Sequence, residues 1–499
     1  MRTVNLQMKF RKLSGEISKY KDLCGLYVMN FSMLLLFFGG MLRKSYNADT
    51  VFHMVMEDAD VWCNLQAGRY IIAFGDCLLL KAGIRTTTNI SITIFFAFIF
   101  FAAAMSVLQN IFQKWVPEHL EGKIGFYVGV NLVFLNILAV EMLMFSECSI
   151  YFAIAYLLAA TAVKFYTKKK YACMLLALAL SVCTYQYAVV FAAIVIAFYI
   201  CMNEKWSLKA IWHECIAVVV CMGLGVLNLL SINVLKAAGI FEELDKNAGI
   251  GNIEKKIEKT LESLCELYKD SANLLPSLWI PLLFTVITLG VILWRCCSEK
   301  KYQTLLFTAI VWMGSHILLY VIPFVSESFY FPPRMSFCFY LIQGLLVILA
   351  FSICGIREQK FMTIVCIGYL GVQLLFSNFI VTNHFVSNTL DEVYTKMVYE
   401  EILEYEEASG IKVEKLAVCK DTYAPDYYEE VAYHTEQINE RVLGTSTSSL
   451  MYVVTGRMFK LEYMDQNVSE KYFGGKNWDC LDMDEQLVFE GDTLYWCIF

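Results

Sequence analysis

Four carboxylates lie close together in a loop that follows the first apolar segment of the chain. They are Asp49, Glu57, Asp58 and Asp60, and Arg69 follows them in the same loop. One such carboxylate could act as a general base and take a proton from an attacking hydroxyl. Several together could instead bind a divalent cation, because hard cations prefer oxygen ligands. On composition alone, the favoured interpretation is a solvated acidic loop that neighbouring basic residues balance.

Arg69 and Trp62 in this loop are candidates for ligand binding. The planar guanidinium of Arg69 could contact a phosphate at two points. The indole of Trp62 could stack on a sugar ring, or it could belong to the aromatic belt at the membrane interface. Arg69 could equally lie with its stem along apolar surface and its charge in water.

A fifth acid, Glu141, stands within an apolar segment. An ionised group is costly there, so it usually faces a cavity or a charged partner. Glu141 lies near the predicted outer end of its segment, where it could also simply reach water.

These residues are set in a strongly apolar chain. Of its 499 residues, 58% are hydrophobic and 17% are charged, against about 25% charged in soluble domains. The mean hydropathy is +0.54. We therefore predict a multi-pass membrane protein. The net charge of -7 argues against a nucleic-acid partner, which needs a basic face.

The apolar segments predict about 11 transmembrane helices. They fall near residues 24–42, 89–110, 124–145, 149–166, 171–186, 188–202, 212–234, 276–295, 303–323, 336–356 and 361–381. The first run is long for a signal peptide and is predicted to be a retained helix. The stretch 171–202 is too long for one helix, so we predict a hairpin that turns at Thr184–Gln186.

Basic residues predict the orientation. The N-terminal tail, residues 1–23, and the short loops rich in Lys and Arg should lie in the cytoplasm. The loops 43–88 and 235–275 and everything after the last apolar segment then lie outside. In the second outer loop, the spacing of Ile253, Ile257, Leu261 and Leu264 predicts an amphipathic helix. That helix would lie on the membrane surface or pack against other loops.

The last part of the chain, residues 386–499, is polar, acidic and rich in tyrosine. Its patterns predict a helix at 391–408 and strands at 415–419, 451–454 and 494–499. We predict a small extracytoplasmic α/β domain here. The pair Gly474-Gly475 is too weak a signal for a nucleotide site.

The predicted fold is therefore mainly α. It combines a polytopic helical bundle, residues 24–385, with the small α/β domain. The chain has 18 cysteines, but no Cys or His spacing is typical of a zinc site. No metal ligand is assigned, and no disulfide framework is expected.

Short motifs along residues 1–385 resemble the GtrII-type membrane glucosyltransferases, which are GT-C-like and depend on polyprenyl-phosphate sugars. The matching motifs are Tyr46–Asp49, Trp62 with Gly68-Arg69, Asn131–Asn136 with Glu141 and Ser146-Glu147, Thr184–Gln186 and Pro332–Arg334. The family often has two adjacent acids before the Gly-Arg pair. Here Asp49 stands alone and Glu57-Asp58 come later, which leaves open which acid corresponds to the functional one.

The resemblance implies transfer of a sugar, with glucose expected, from undecaprenyl phosphate to a cell-surface glycan at the bacterial cell membrane. A donor synthase and a flippase would act upstream, and a divalent cation could assist. Asp49 is the leading base, with Asp58 or Asp60 as the second candidate. Arg69 and Arg334 would bind the donor phosphate. The groove for donor and acceptor would be lined by Trp62, Glu141, Tyr185 and Gln186.

Other classes of membrane protein also fit parts of the sequence. A transporter or flippase of lipid-linked sugars would explain the many helices and Glu141, but not the acidic loop or the folded tail. The chain also lacks halves of matching hydropathy. A polysaccharide polymerase should have basic outer loops, and an O-acyltransferase needs an intramembrane His, for which only His316 is available. Nothing positive supports a receptor-like scaffold.

Overall fold

The computed structural model describes residues 23–56, 59–203, 208–240, 251–326, 329–478 and 480–499. The predicted cytoplasmic tail up to residue 22 lies outside the described residues, as does Asp58. Asp60 lies in a described helix, but its side chain is not among the described ones.

Eight helical segments of the described chain are long and apolar enough to cross a membrane. They are α1 Leu23–Leu42, α5 Ile90–Phe112, α8 Ser149–Thr167, α11 Leu208–Ala237, α13 Ile280–Ser298, α14 Tyr302–Val325, α15 Pro333–Ser336 together with α16 Cys338–Ile353, and α17 Ile356–Ser409. The predicted helical membrane bundle is confirmed. The predicted count of about 11 transmembrane helices is not confirmed, because the remaining apolar segments form shorter helices.

The shorter helices belong to the loops and to the inside of the bundle. They are α2 Ala48–Val55, α3 Ala59–Gln66, α4 Tyr70–Lys81, α6 Leu120–Asn131, α7 Ala139–Met144, α9 Tyr171–Thr184, α10 Ala188–Met202 and α12 Ile253–Asp270. The predicted hairpin is confirmed, since α9 ends at Thr184 and α10 begins at Ala188. The predicted amphipathic helix is also confirmed as α12, and Ile253, Ile257 and Leu261 on it are exposed.

The segment predicted as one helix at 124–145 is interrupted. The side chain of Asn136 accepts hydrogen bonds from the backbone N–H groups of Leu138 and Ala139 and donates to the carbonyls of Leu132 and Val133. An amide side chain that bonds its own backbone competes with the helical ladder. The break between α6 and α7 therefore leaves polar backbone groups satisfied within the bundle, as a membrane interior requires.

The core of the bundle lies around α10 and α16. In α16, 15 of the 16 residues are buried. In α10, 12 of the 15 residues are buried. A helix that is apolar on all sides is expected at the centre of a bundle. These two helices hold the surrounding elements, and with them the loops that follow, in fixed positions.

One helix, α17, joins the bundle to the tail. It has 54 residues, which corresponds to about 81 Å at 1.5 Å per residue, far more than the roughly 30 Å of a bilayer core. The sequence patterns predicted two helices, 361–381 and 391–408, but no Pro or Gly interrupts the chain from residue 372 to Ser409. The helix ends at Gly410, which has φ of 74°, as the pattern predicted.

The tail is a small α/β unit. Its sheet has the order β2-β1-β4-β3, with β1 parallel to β2 and β4, and β3 antiparallel to β4. The strands are β1 Lys415–Lys420, β2 Lys460–Glu462, β3 Leu487–Glu490 and β4 Thr493–Ile498, and the helices are α18 Thr447–Thr455, α19 Gln466–Phe473 and α20 Met483–Gln486. Strands at 415–419 and 494–499 are confirmed. The strand predicted at 451–454 is wrong, because these residues lie in α18, whose buried face packs on α17 and α2.

Candidate active site

A cavity of about 450 Å³ lies where the loop after α1, the α9–α10 turn, the ends of α11 and α14, and the tail meet. Five of the predicted site residues line it, namely Asp49, Arg69, Tyr185, Gln186 and Arg334. The other lining residues are Ala67, Tyr187, Leu229, Ile232, Ile322, Pro323, Ser326, Phe329, Tyr330, Met335 and Gln437. The structure thus brings together residues that are far apart in the sequence.

Asp49 is held at the cavity by the start of α2. The side chain of Asn47 caps this helix by accepting a hydrogen bond from the backbone N–H of Thr50, at 2.8 Å. Asp49 lies in the first turn with its carboxylate exposed, where the positive end of the helix dipole favours a negative charge. Its Oδ2 accepts a hydrogen bond from Nε2 of Gln437 at 3.2 Å. The carboxylate is therefore fixed in position and open to the cavity.

Arg69 follows a turn that requires glycine. Gly68 has φ of +72°, and a Cβ atom there would lie 2.8 Å from Oδ1 of Asn228 and 3.0 Å from Nε2 of Gln186. These same side chains hold the turn, since Gln186 donates to the carbonyl of Ala67 at 2.5 Å and Asn228 to that of Gly68 at 3.0 Å. The amide side chains of Gln186 and Asn228, which come from distant parts of the sequence, therefore fix the position of the turn before Arg69.

The Arg69 guanidinium keeps unused hydrogen-bonding capacity. Its Nη1 makes one long hydrogen bond, 3.4 Å, to Oδ1 of Asn64, and it lies over the rings of Phe152 and Tyr185. Within the described part of the chain, Arg69 has no carboxylate partner, and its buried Nε has no hydrogen-bond partner. A cation held by aromatic faces with free donors is suited to bind an anion.

Arg334 differs, because its charge is already paired. Its Nη1 and its backbone N–H both donate to the carboxylate of Glu141, each at 2.5 Å. Glu141 is fully buried behind it and does not line the cavity. Pro333 begins α15 here as its first residue, a position where the missing N–H costs nothing. The pair therefore closes the cavity wall as a nearly neutral unit.

Two tyrosines complete the surroundings of Arg334. The hydroxyl of Tyr330 accepts a hydrogen bond from Nη2 of Arg334 at 3.2 Å, and the hydroxyl of Tyr185 donates to the Arg334 carbonyl at 3.3 Å. Burial raises the pKa of Tyr330, so its hydroxyl stays protonated and its hydrogen is available to a ligand in the cavity.

The model of the family described as glucosyl transferase GtrII matches residues 38–351, more than half of the chain. The chain belongs to this family. No curated protein and no solved structure matches it. Together with the long apolar helices, membership makes the chain a membrane glycosyltransferase of the glucosyltransferase type.

The GtrII match covers the five predicted residues at the cavity but not the tail. Some predicted residues lie elsewhere. Trp62 is 52% exposed on α3 and does not line the cavity. Neither Asp58 nor the side chain of Asp60 is among the described residues. Asp49 is thus the one predicted base whose carboxylate can be placed at the cavity.

No site for a divalent cation is evident among the described residues, from which Glu57, Asp58 and the side chain of Asp60 are missing. Among the described residues, no group of three or more His, Cys, Asp or Glu side chains could hold a metal ion. No residue is therefore assigned as a metal ligand.

The structure also adds residues that the sequence patterns did not single out. Asn228 is a polar residue inside the apolar segment 212–234, which is a usable signal, since such residues tend to have a bonding partner. For Tyr330, the only signal in the sequence is that it lies four residues before Arg334. Gln437 lies in the tail, far from every motif, and nothing in its surroundings in the sequence marks it.

Proposed function

We propose that this GtrII family member transfers glucose from undecaprenyl-phosphate glucose to a cell-surface glycan on the outer face of the bacterial membrane. One observation carries the proposal, namely that an exposed carboxylate, Asp49, and an arginine with free donors, Arg69, line the same cavity. A transferase needs both groups, because a base must act on the acceptor and a cation must act on the phosphate.

In this proposal, the donor phosphate and the acceptor contact different residues of the cavity. Arg69 and the Tyr330 hydroxyl can bind phosphate oxygens, while Arg334 helps to fix Tyr330 through its hydrogen bond. Asp49, which accepts a hydrogen bond from Gln437 of the tail, also lines the cavity and would contact the acceptor. A phosphate is drawn to the arginine side and repelled by the carboxylate side. This division orients donor and acceptor toward each other.

The proposed step is a direct displacement. The acceptor hydroxyl gives its proton to Asp49 and its oxygen forms a bond to the anomeric carbon. The bond between that carbon and the phosphate oxygen breaks, and undecaprenyl phosphate leaves with its negative charge next to Arg69. No nucleotide is needed, because the lipid phosphate is itself the leaving group.

Apolar surface near the cavity supports a lipid donor. Leu229 and Ile232 from α11, with Ile322 from α14, line the cavity itself. A second groove of about 460 Å³ lies on the other side of α14, between it and α12, and its lining is almost entirely apolar. Isoprenoid units can pack along such surface by van der Waals contact, as lipid tails do. We assign the donor's tail to the apolar surface around the end of α14.

The orientation belongs to the same proposal. The N-terminus would lie in the cytoplasm, and the cavity and the tail outside, as the basic loops indicate. A synthase and a flippase would then make the donor and deliver it to the outer leaflet. The charged residues of the cavity would meet the donor phosphate at the outer headgroup level.

The test is transfer from synthetic undecaprenyl-phosphate glucose by the purified full-length protein. We expect product with the wild type and a loss of roughly 10²- to 10⁴-fold in kcat with Asp49→Asn, as for removal of a general base. Glu254→Gln is the matched control, since Glu254 is also an exposed first-turn carboxylate, on α12, but does not line the cavity.

Three outcomes separate the alternatives. Product from the wild type and the control, but not from a folded Asp49→Asn protein, supports both the activity and the base. Product that is unchanged in Asp49→Asn rejects Asp49 as the base. No product from the wild type, across several acceptors and with divalent cations added, rejects the transferase and favours transport of lipid-linked sugars.

A further inference from the structure

The tail reaches the cavity through one tight turn. Thr435 and Ile438 exchange backbone hydrogen bonds, 3.3 and 2.8 Å long, and the turn places Gln437 at the cavity wall. Of the described residues beyond α17, Gln437 is the one that lines this cavity. It is 388 positions away from Asp49 in the sequence, yet the two side chains are hydrogen-bonded.

The turn has a strained backbone. Glu436 has φ of +47° and Asn439 has φ of +67°, values that residues with a side chain adopt at a cost. Strained residues of this kind persist where the surrounding structure holds them, and they are frequent at ligand sites. The strained backbone therefore requires other contacts that hold the turn in place.

Both the tail and the bundle provide those contacts. Tyr427 of the tail donates to the Glu436 carbonyl at 2.8 Å. From the membrane part, Asn273 donates to the carbonyl of His434 at 3.0 Å, and Ser387 on α17 donates to that of Asn439 at 3.2 Å. The position of Gln437 is thus fixed relative to the cavity by three elements.

The amide of Gln437 is only partly used. Its Nε2 donates to Asp49, and its Oε1 accepts from Nδ2 of Asn47 at 3.3 Å. A primary amide has two N–H donors and two acceptor lone pairs, so a donor and an acceptor remain for a ligand. A hydroxyl, which both donates and accepts, is the complementary group, and sugars present several of them.

The charges near the turn argue against the donor phosphate as the partner of Gln437. Asp49 is in contact with it, and the carboxyl of Glu440 is close enough to Asp49 that, after burial, the charge of Asp49 raises the pKa of Glu440. Glu436 is the residue directly before Gln437 and is exposed. A phosphate would be repelled from this side, whereas a neutral sugar hydroxyl would not.

We propose that the Thr435–Ile438 turn of the tail forms the acceptor subsite, in which Gln437 binds a carbohydrate hydroxyl and orients Asp49 toward it. This inference rests on the proposed glucosyltransferase function. It gives the tail, which the family match does not cover, a role in choosing the acceptor.

The experiment uses the full-length protein, synthetic undecaprenyl-phosphate glucose and a panel of methyl glycosides as acceptors. For the glycoside that gives the most product, Gln437→Ala should raise the acceptor KM about tenfold, as the loss of one or two hydrogen bonds implies. The donor KM should stay within about twofold, because the donor phosphate lies on the arginine side. Gln466→Ala, an exposed glutamine of the tail outside the cavity, should change neither constant.

A second variant tests the contact with Asp49. Gln437→Glu keeps the shape of the side chain but places a second negative charge beside the carboxylate of Asp49, and like charges this close repel each other. The acid limb of the kcat/KM profile should then move to higher pH, an effect that a merely structural residue would not produce. Gln437→Glu also takes the place of Gln437→Ala if the latter does not fold.

The outcomes distinguish this inference from the function on which it rests. If the wild type transfers glucose but Gln437→Ala leaves the acceptor KM unchanged, or raises both KM values equally, the acceptor subsite is wrong and the transferase stands. If the acid limb of the kcat/KM profile does not move in Gln437→Glu, the acceptor subsite is wrong in the same way. If the wild type transfers nothing, both proposals fail.

Discussion

Two arginines line the same cavity, and they are in opposite situations. The lining around Arg69 is called the first wall and the lining around Arg334 the second. Among the described residues, Arg69 in the loop after α1 has one long hydrogen bond to a neutral amide and two aromatic neighbours. Arg334 before α16 donates to the fully buried carboxylate of Glu141 through both its side chain and its backbone. A count of basic residues would predict that the two arginines bind an anion equally well.

The difference shows that a cation binds a ligand only to the extent that its charge is not already compensated. Near Arg334, the carboxylate of Glu141 cancels most of the field that a phosphate would experience. Near Arg69, the aromatic faces of Phe152 and Tyr185 hold the guanidinium without neutralising it. We therefore expect the first wall to decide donor binding and the second to decide whether the cavity keeps its shape.

The largest expected effect is on the second wall and concerns stability. Glu141→Ala leaves the buried Arg334 charge without its partner, which should lower the free energy of unfolding by roughly 3–5 kcal/mol. The double variant Glu141→Gln with Arg334→Met should lose less, because it leaves no unpaired charge. Thermal unfolding in detergent measures both.

The exposed pair Lys471 and Glu490 in the tail is the control, with side chains 61% and 52% exposed. Glu490→Ala should leave the free energy of unfolding nearly unchanged, because water and salt screen an exposed ion pair. A Glu141→Ala protein as stable as this control would show that the buried pair does not hold the wall.

The next effect concerns the first wall and donor binding. Arg69→Ala should raise the donor KM roughly ten- to hundredfold, the value of charge-assisted hydrogen bonds, and leave the acceptor KM nearly unchanged. Arg69→Lys should recover only part of this, since an ammonium lacks the planar fork. Steady-state kinetics with synthetic donor would check both.

Arg357, which is exposed and outside the cavity, provides the control substitution Arg357→Ala. Equal effects of Arg69→Ala on donor and acceptor KM would contradict the division of the cavity into two sides.

A smaller effect is expected when Arg69 is moved rather than removed. Gly68→Ala adds a Cβ that meets Asn228 and Gln186 at a backbone angle of +72°, with a cost of about 1–3 kcal/mol. Gly83→Ala is the matched control, because Gly83 has φ of +73° but open space around it. The excess loss of stability and donor affinity in Gly68→Ala over Gly83→Ala measures how tightly the turn positions Arg69.

The smallest effect is a pH dependence beside Asp49. Burial, and then the Asp49 charge, raises the pKa of Glu440 above its ordinary value of 4.5. A carboxyl with a raised folded pKa binds its proton more tightly when folded, so its contribution to stability is full below the unfolded pKa. That contribution is lost as the pH rises through the folded pKa. Glu440→Gln should flatten this part of the stability curve, by less than about 1 kcal/mol, in unfolding followed from pH 4 to 8.

Local patterns were sufficient for the helical membrane bundle, although not for the number of its spanning helices, and for the hairpin at Thr184–Gln186, the amphipathic α12 and two of the tail strands. Each depends on residues that are neighbours along the chain. They failed where a long-range contact decided the outcome. The β-branched run near Val453 predicted a strand, but packing of α18 on α17 and α2 makes it helical. The change to polar composition after Ile380 predicted a break, although polar residues continue a helix equally well where no Pro or Gly intervenes.

For the cavity, the sequence alone determined the residue types: an acid and an arginine in the first outer loop, a tyrosine and a glutamine at a turn, and an arginine after two prolines. Their chemistry is a property of the side chains and needs no fold. Only the tertiary structure decided which charges are available. It pairs Arg334 with Glu141 across 193 positions, leaves Arg69 unpaired among the described residues, and brings Gln437 to Asp49. Solvation and pairing depend on contacts between distant segments, and packing of the bundle against the tail sets those contacts.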